Sequence, residues 1–452
     1  MNNQMLPIGK LFNIEKGVLQ STKCTPGDYD FITAAVEWKT HNEYTHECEA
    51  LIFAAAASGS LGRTHYVDGK FTTSDLCYIL TPKNDEKYPL NLSFYHFVFN
   101  SLRPSLVAAT KSGTSKESIN QTNFKNYEVP YFDIELQDFW IEKLKNTLGL
   151  KGLLGSELTR QQDLLKKLRQ QVLQEAIEGK LTADWREQNP DVKPASELLN
   201  HIAAEKAQLV KEKKIKAQKS LLPITVEEKP FDLPQGWEWC RLGDVAYGFQ
   251  YGTSSKSNKS GDVPVLRMGN IQSGEVDWND LVYSSDAVEI EKYKLIAGDL
   301  LFNRTNSREL VGKTALYRGC QPAIYAGYLV RFHMAGSISS DYANIVMNSR
   351  LHSEWCEEVR TDALGQSNIN ATKLSGFRFP LAPIDEQEII IDKVDKLLAL
   401  CDELEVQITQ NQSHAEQLMP AVLKEAFSHN SEAKPAAKKT TARIHIPGGS
   451  HA

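Results

Sequence analysis

The 452-residue chain lacks any apolar run long enough to cross a bilayer. Its longest, Ala50 to Ala57, falls far short of the roughly 20 residues a membrane helix needs, so no membrane partner is expected. Its seven cysteines (24, 48, 77, 240, 320, 356 and 401) form no C-x-x-C pair and have no His-rich tract beside them. That argues against a zinc site and a disulfide framework, and for a reducing compartment. The opening Met1-Asn2-Asn3-Gln4 has no basic stretch followed by an apolar one, and a cytoplasmic location is expected. There is no G-x-x-x-x-G-K-[ST] loop for ATP, no Asp/Asn-Pro-Pro-aromatic tetrapeptide of the amino-methyl-transfer kind, and no G-x-G-x-x-G. Asn189-Pro190 is followed by Asp191 and reads as a helix stop. Asp85-Glu86-Lys87 and Glu227-Glu228-Lys229 imitate the carboxylate–lysine end of a nuclease site, but both lie in Pro-flanked loops where solvated turns are the reading. No catalytic residue, metal or cofactor is expected in this chain.

Excess positive charge is missing too. The net charge is −6; residues 235–384 carry 15 Lys/Arg against 16 Asp/Glu, and residues 1–134 carry 12 against 14. Any phosphate contact must therefore come from local loops rather than a basic surface. Hydrophobic residues at 41% and charged residues at 24% are ordinary globular usage, enough for two or three domains.

What the chain does contain is an internal repeat. Ile119-Asn120-x-Thr122, running on to Pro130, matches Ile369-Asn370-x-Thr372, running on to Pro380. The same offset of 250 carries Glu49-x-Leu51 and Gly62-Arg63-Thr64 onto Asp299-x-Leu301 and Gly312-Lys313-Thr314. It also carries Val172-Leu173-Gln174-Glu175-Ala176 onto Val422-Leu423-Lys424-Glu425-Ala426. Nearer the front the offset is 234, pairing Gly9 with Gly243 and Gly27-Asp28 with Gly261-Asp262, so the second copy holds 16 extra residues between about Val36 and Gly298. Three separated matches at one spacing make a duplication.

Each copy is a β-rich part followed by a helix. Segments such as Val263–Met268, Asp299–Phe302, Tyr328–Phe332 and Asp75–Leu80 are rich in β-branched and aromatic residues between Gly, Ser and Asn clusters. In the second helix Ile390, Val394, Leu397, Cys401, Leu404, Ile408, Asn411, Ala415, Leu418 and Val422 follow alternating steps of four and three. Their counterparts are Trp140, Leu144, Thr147, Lys151, Leu154, Leu158, Gln161, Leu165, Leu168 and Val172. Such a stripe either packs on the helix's own domain or forms a heptad seam with the other helix, antiparallel about a pseudo-twofold axis. Gln161 and Asn411, at matching seam positions, would fix helix register. Gly149, Gly152 and Gly155 weaken the first helix near its start, and Pro420 the second near its end. Between the copies, Ala195 to Lys219 reads as a basic helix with a solvated face, and residues 430–452 as a disordered tail. The fold class is α+β: a tandem pseudo-twofold repeat of a β-rich domain and a long helix, the two helices packing as an antiparallel coiled coil.

Several segments resemble a known family. Leu233-Pro234-x-Gly236-Trp237-x-Trp239-x-x-Leu242-Gly243-Asp244 is similar to the opening of a target-recognition domain in type I restriction–modification specificity subunits. Gly298–Arg304 and Gly365–Ile369 resemble internal segments of that domain, and Leu381-Ala382-Pro383-Ile384-Asp385-Glu386-Gln387 its passage into the helix. Glu178–Arg186 is similar to the family's helix end. The first copy departs from the pattern: it opens Leu6-Pro7-Ile8-Gly9 without the Trp pair. The resemblance implies target-recognition domains at 5–135 and 235–384, helical regions at 136–185 and 385–429, and a connector at 186–234. It further implies double-stranded DNA, two methyltransferase subunits and endonuclease–translocase subunits as partners, with S-adenosylmethionine, ATP and magnesium used by those partners.

Under that resemblance, base reading needs side chains that reach base edges. Arg304, Asn306, Ser307 and Arg308, which interrupt two apolar strands, are the leading candidates. Thr253, Ser255, Lys256, Arg267 and Asn270 follow, then Gln366 and Asn368. In the first copy the matching loop, Ala54 to Ala57, offers no donor until Ser58; Arg63, Lys111, Thr114, Ser115 and Lys116 complete the set. The two copies are expected to read different half-sites, so the target is asymmetric. The alternative is a non-catalytic coiled-coil scaffold whose two β-rich domains bind proteins.

Overall fold

The computed structural model describes residues 4–56, 59–112, 117–217, 221–363 and 365–428. Ser58, Thr114, Ser115, Lys116 and the tail 430–452 lie outside the described residues. Backbone contacts divide the chain into two units, one of Met1–Leu158 with Gln410–Ala452 and one of Thr159–Thr409.

The first unit is built on a six-stranded sheet in the order Phe12–Lys16, Cys77–Pro82, His46–Ala54, Thr64–Thr73, Tyr29–Ile32, Lys39–His41. All pairs are antiparallel except Tyr29–Ile32 with Thr64–Thr73. The central strand shows why it is central. Its first half alternates in burial and its second half, Ala50–Ala54, is wholly buried, because both faces are covered there. Leu51 and Phe53 join one core with Phe94, Tyr95, Val98 and Phe99 of the helix Leu92–Thr110, whereas Ala50, Ile52 and Ala54 join another with Ile32, Val67 and Phe71. The period of two is read directly from the packing.

The second unit repeats this plan: a six-stranded sheet ordered Ala246–Tyr251, Leu329–Met334, Asp299–Asn303, Thr314–Leu316, Gly274–Val276, Ile271–Gln272. The extra residues fall between Gly261 and Asp299, where the second unit has further short strands, and the counterpart of Thr64–Thr73 is two pieces, Thr314–Leu316 and Ile324–Tyr325. The hairpin Ile271–Val276 extends the sheet edge beside the first piece, and Val263–Leu266 pairs with the second in a separate three-stranded sheet with Val282–Ser284.

In each unit a two-stranded stem closes the β-rich part. Gln4–Pro7 pairs with Glu128–Tyr131, and Glu238–Arg241 with Arg378–Leu381. Long helices follow the stems, at Ile134–Ile177 and Ile384–Ser428. A buried glutamine fixes each departure. Gln137 donates to the carbonyls of Pro89 and Phe132 and accepts the N–H of Asn91, the cap of helix Leu92–Thr110. Gln387 donates to the Ala382 carbonyl and accepts the N–H of Ser339, the cap of helix Ser340–Met347.

Helix packs on helix within each unit. In the second unit Arg169 bridges Asp402 and Glu405 at 2.6 and 2.9 Å, and Lys393 Nζ reaches Asp184 at 2.8 Å, so the segments run antiparallel. In the first, Trp140, Ile141 and Leu144 share a core with Leu423 and Ala426, and Lys143 pairs with Glu425. The heptad is kept along one line of the seam and not along the other. Leu154, Leu168, Leu404, Asn411 and Leu418 are exposed, Gln161 is half-buried, and burial moves to Leu173, Ala176 and Ile177. The line Leu144, Leu158, Leu165, Val172 and the line Val394, Cys401, Ile408, Ala415 stay buried on a seven-residue register, and the exposed positions all belong to the second line of the seam. The paired buried amides foreseen at Gln161 and Asn411 are thereby corrected.

The connector helix is shorter than expected, Ala195–Lys211, because Lys213 turns into the left-handed region at φ 56°. Its Lys206 is no solvated charge: Nζ donates to the carbonyls of Gly243 and Ala246 at 2.6 and 2.9 Å. Burial lowers its pKa.

One carboxylate ties the second unit's segments together. Glu386 is fully buried, accepts from Thr182 Oγ1 and Arg186 Nη1 at 2.5 Å through Oε1, and from Trp237 Nε1 at 2.8 Å through Oε2. Gly179, at φ 70°, ends the first long helix where a Cβ would sit 2.6 Å from Pro234, and so turns Thr182 and Arg186 toward that carboxylate. Glu386→Ala strands the Arg186 charge and is expected to destabilise the unit by about 3–5 kcal/mol in denaturant unfolding. The double variant Arg186→Met/Glu386→Leu removes both charges and is expected to be milder. A Glu386→Ala protein as stable as the parent would refute the role given to this pair.

Candidate nucleic-acid interface

The buried strand Asp299–Asn303, interior to the second unit's sheet, delivers the chain to Arg304 at its end. There Thr305–Asn306 pairs with Gln366–Asn368, which pairs in turn with Thr361–Ala363. Asn368 Nδ2 donates to Thr305 Oγ1 at 2.7 Å although the two are 63 positions apart in the chain. The Ile369 N–H donates to the Arg304 carbonyl at 2.9 Å. Two separately chosen candidate segments, Arg304–Arg308 and Gly365–Asn368, are therefore one patch.

The Thr253–Lys259 segment joins it from the other side. Gly327 N–H donates to the Thr253 carbonyl at 2.7 Å, and Arg304 Nη1 to the Gly327 carbonyl at 3.4 Å. Gly252 lies so near the backbone of Tyr325 that a Cβ would stand 2.2 Å from its carbonyl oxygen. The Arg304 guanidinium stacks 4.6 Å above the Tyr251 ring, and the Tyr251 hydroxyl accepts the Ala371 N–H at 3.0 Å. Stacking holds the planar fork in one orientation, which suits bidentate recognition of a base edge.

Around this fixed arginine the surface is polar and open. Ser255, Lys256, Arg308 and Gln366 are exposed; Asn306, Ser307 and Asn368 are half-buried. Tyr251 and Tyr328 are 41% and 50% exposed, large aromatic faces beside donors. Asp362 accepts the Ser367 hydroxyl at 2.6 Å; that bond first, and the Arg360 and Arg308 charges after it, hold its carboxyl below the usual range.

Two candidates are turned inward, and a third, Arg267, is held at the surface in an ion pair. Thr253 is buried and its hydroxyl donates to Glu289. Asn270 is 3% exposed, donates to the carbonyls of Asp277 and Asn279 at 2.9 Å and accepts the Arg267 N–H. Arg267 Nη2 is held by Asp280 through both its carbonyl and its carboxylate. Asn and Thr near a turn serve the backbone as readily as a ligand, and here the backbone has them.

The first unit places its elements in the same relation but with different chemistry. Lys111–Ser112 pairs with Ser118–Ile119, and the Ile119 N–H donates to the Ala55 carbonyl at 2.7 Å. Lys111 pairs with Glu117 at 2.9 Å, and Arg63 is tied to the Ala34 carbonyl and Ser60 Oγ. Val36, Trp38 and Leu76 are exposed. Trp38 Nε1 donates to His65 Nδ1 at 3.3 Å, and burial lowers the His65 pKa. Tyr251, Tyr328 and Trp38 were not singled out from sequence; the available signal was an aromatic beside each candidate loop. Among the described residues no group of three or more His, Cys, Asp and Glu is placed to hold a metal, and no helix is long and apolar enough to cross a membrane.

The sequence profile of the family described as type I restriction modification DNA specificity domain matches residues 2–146 and 234–411. The type I restriction enzyme EcoAI specificity subunit of Escherichia coli is 38% identical over 246 residues, 52% of this chain and 40% of that protein. The chain thus spans well under half the length of that relative. The EcoKI specificity subunit of Escherichia coli K12 is 24% identical over 435 residues, covering 94% of this chain and 82% of that one. Among solved structures, a chain from work on assembly and conformational transition of the type I restriction–modification system superposes with TM-score 0.61 at 14% identity, covering 94% and 97% of the two chains.

Substituting Arg304 tests whether the patch meets base edges. Arg304→Ala is expected to weaken binding by about 1–3 kcal/mol on one base pair of a duplex target and leave the other positions as selective as before. Tyr251→Leu, which removes the stacking platform and the acceptor of the Ala371 N–H, should give a smaller loss at the same position. Anisotropy titrations on point-substituted duplexes read both; equal weakening on every duplex would instead mark Arg304 as a phosphate contact.

Proposed function

The chain belongs to the type I restriction–modification DNA specificity family, and on that footing we propose that it is the sequence-reading subunit of such an enzyme. In this reading the two β-rich domains each recognise one half of a bipartite, asymmetric site in double-stranded DNA. The chain then brings methyltransferase and endonuclease–translocase subunits to it, and the chemistry that uses S-adenosylmethionine, ATP and magnesium belongs to those partners. The observation that carries the reading is the single exposed patch formed by Arg304–Arg308, Gln366–Asn368 and Tyr251. Asymmetry follows from the two patches. An arginine- and asparagine-rich surface suits guanine and adenine edges, while Val36, Trp38 and Leu76 with the half-buried Ala56 suit apolar contact such as a thymine methyl, Ala54 and Ala55 being buried.

Selection of duplexes from a randomised pool by the full chain is expected to return two unlike blocks of fixed bases separated by a spacer of unfixed bases. Centre-to-centre spacing of about one helical turn is expected for two domains reading one face of a duplex. A single block would remove the second reader, and no enrichment even at low salt would favour the protein-binding scaffold. Two similar copies also offer two similar docking surfaces, so native mass spectrometry with the cognate methyltransferase should give two partner subunits per chain. A clean one-to-one complex at saturating partner would overturn that stoichiometry and leave DNA reading intact.

A further inference from the structure

A cavity of about 480 Å³ lies in the second unit at the foot of the hairpin that carries Gln366 and Asn368. Its walls include four cationic side chains, Arg241, Arg360, Lys373 and Arg378, and two carboxylates, Glu228 and Glu358. Both carboxylates are already engaged. Glu228 takes Arg241 Nη2 at 2.8 and 2.9 Å, and Glu358 takes Arg378 Nη2 at 2.8 Å. Lys373 Nζ donates to the Val359 carbonyl and to Thr361 Oγ1.

Arg360 is different. Its side chain is 6% exposed, and Nε and Nη1 are buried with no hydrogen-bond acceptor. The nearest acid oxygen is Asp362 Oδ1, 3.4 Å from Nε, and that oxygen already accepts the Ser367 hydroxyl. A buried guanidinium with unsatisfied N–H groups is costly to keep unless something supplies acceptors. The cavity's net positive lining specifies an anion with several oxygens, and Arg360 directly precedes the strand Thr361–Ala363 of the candidate reading patch.

We propose that this cavity seats a backbone phosphate of the second half-site, with Arg360 as its principal ligand. The inference rests on the DNA-reading function proposed above and adds to it the contact that sets register, since phosphate contacts position a reader and base contacts specify. It also suits a domain of near-neutral charge: one preorganised seat, not a basic surface, supplies the backbone contact.

The test uses the full chain and the duplex recovered by selection. Across a salt series, Arg360→Met is expected to bind about tenfold more weakly, equally on the selected and base-substituted duplexes. The slope of log affinity against log salt should flatten by about 0.9, and Arg360→Lys should restore much of it. A methylphosphonate scan of the duplex should find one phosphate in or beside the second half-site whose neutralisation weakens the wild type and adds nothing to Arg360→Met. A wild-type scan with no such phosphate overturns the proposal without recourse to any variant. Inorganic phosphate added without DNA and followed by ³¹P line broadening tests the other source. Broadening that Arg360→Met abolishes, with DNA affinity unchanged, assigns the cavity to free phosphate and also overturns the proposal. If the wild type binds no duplex, DNA reading itself has failed. If it binds selectively and Arg360→Met matches it in affinity and slope, only the phosphate seat has.

Discussion

Much of the second unit depends on one buried carboxylate. Glu386 takes hydrogen bonds from Thr182 and Arg186, just past the end of the first long helix, and from Trp237, just before the domain's stem. It stands itself at the start of the second long helix. A charge with no exposed surface is tolerated only when every lone pair is answered, so the three segments cannot shift independently. The stem Glu238–Arg241 with Arg378–Leu381 is built directly on this junction, and the whole β-rich domain closes upon that stem. The geometry of the reading patch inherits its fixity from there.

The first unit manages without the charge. Leu136 stands where the second copy has Glu386, and the copies share instead the next residue, Gln137 and Gln387. Each glutamine joins the start of a long helix to the cap of a helix packed on the sheet. A neutral amide suffices to set the departure angle of a helix; in the second unit the carboxylate gathers in addition the segment beyond the other helix's end, Thr182 and Arg186. That is why the duplication is exact in register at the stems, Gln4 opposite Tyr131 and Glu238 opposite Leu381, yet loose elsewhere. The extra residues of the second copy fall at a sheet edge, where a hairpin adds strands without disturbing the central pairings.

Sequence periodicity and the repeat made this architecture legible because both report on burial. Offsets of 234 and 250 place the stems, the central strands and the helix starts correctly, since each is defined by an apolar pattern that packing enforces. The heptad seam was less legible. Leu154, Leu168, Leu404 and Leu418 satisfy the pattern but stay exposed, because only the other line of the seam, Leu158, Leu165 and Val172 with Cys401, Ile408 and Ala415, is covered. Lys206 looked like surface charge for the same reason that any lysine does: only tertiary structure reveals the carbonyls of Gly243 and Ala246 that hold it.

The interface was legible by residue type but not by partner. Arg304, Asn306, Gln366 and Asn368 could be proposed because donors interrupting apolar strands have no use in a core, and the small sheet that unites them follows from that same lack of burial. Asn270 satisfied the same criterion and failed, since an asparagine side chain can replace a backbone hydrogen bond and its sequence context does not say which it does. Arg360 gave no signal at all. It follows a helix rich in acidic residues, where a surface ion pair is the natural expectation; burial without an acceptor is a property of the fold around it. The contrast locates where specificity is written. Residues whose chemistry shows in sequence are those that face solvent and can be replaced without cost to the core. The groups that hold them in place, Tyr251 beneath Arg304 and the glutamine and glutamate at the stem, act through contacts that only the folded chain creates. On the proposed reading, such a domain would change the bases it meets by changing exposed donors, provided the buried junction stays as it is.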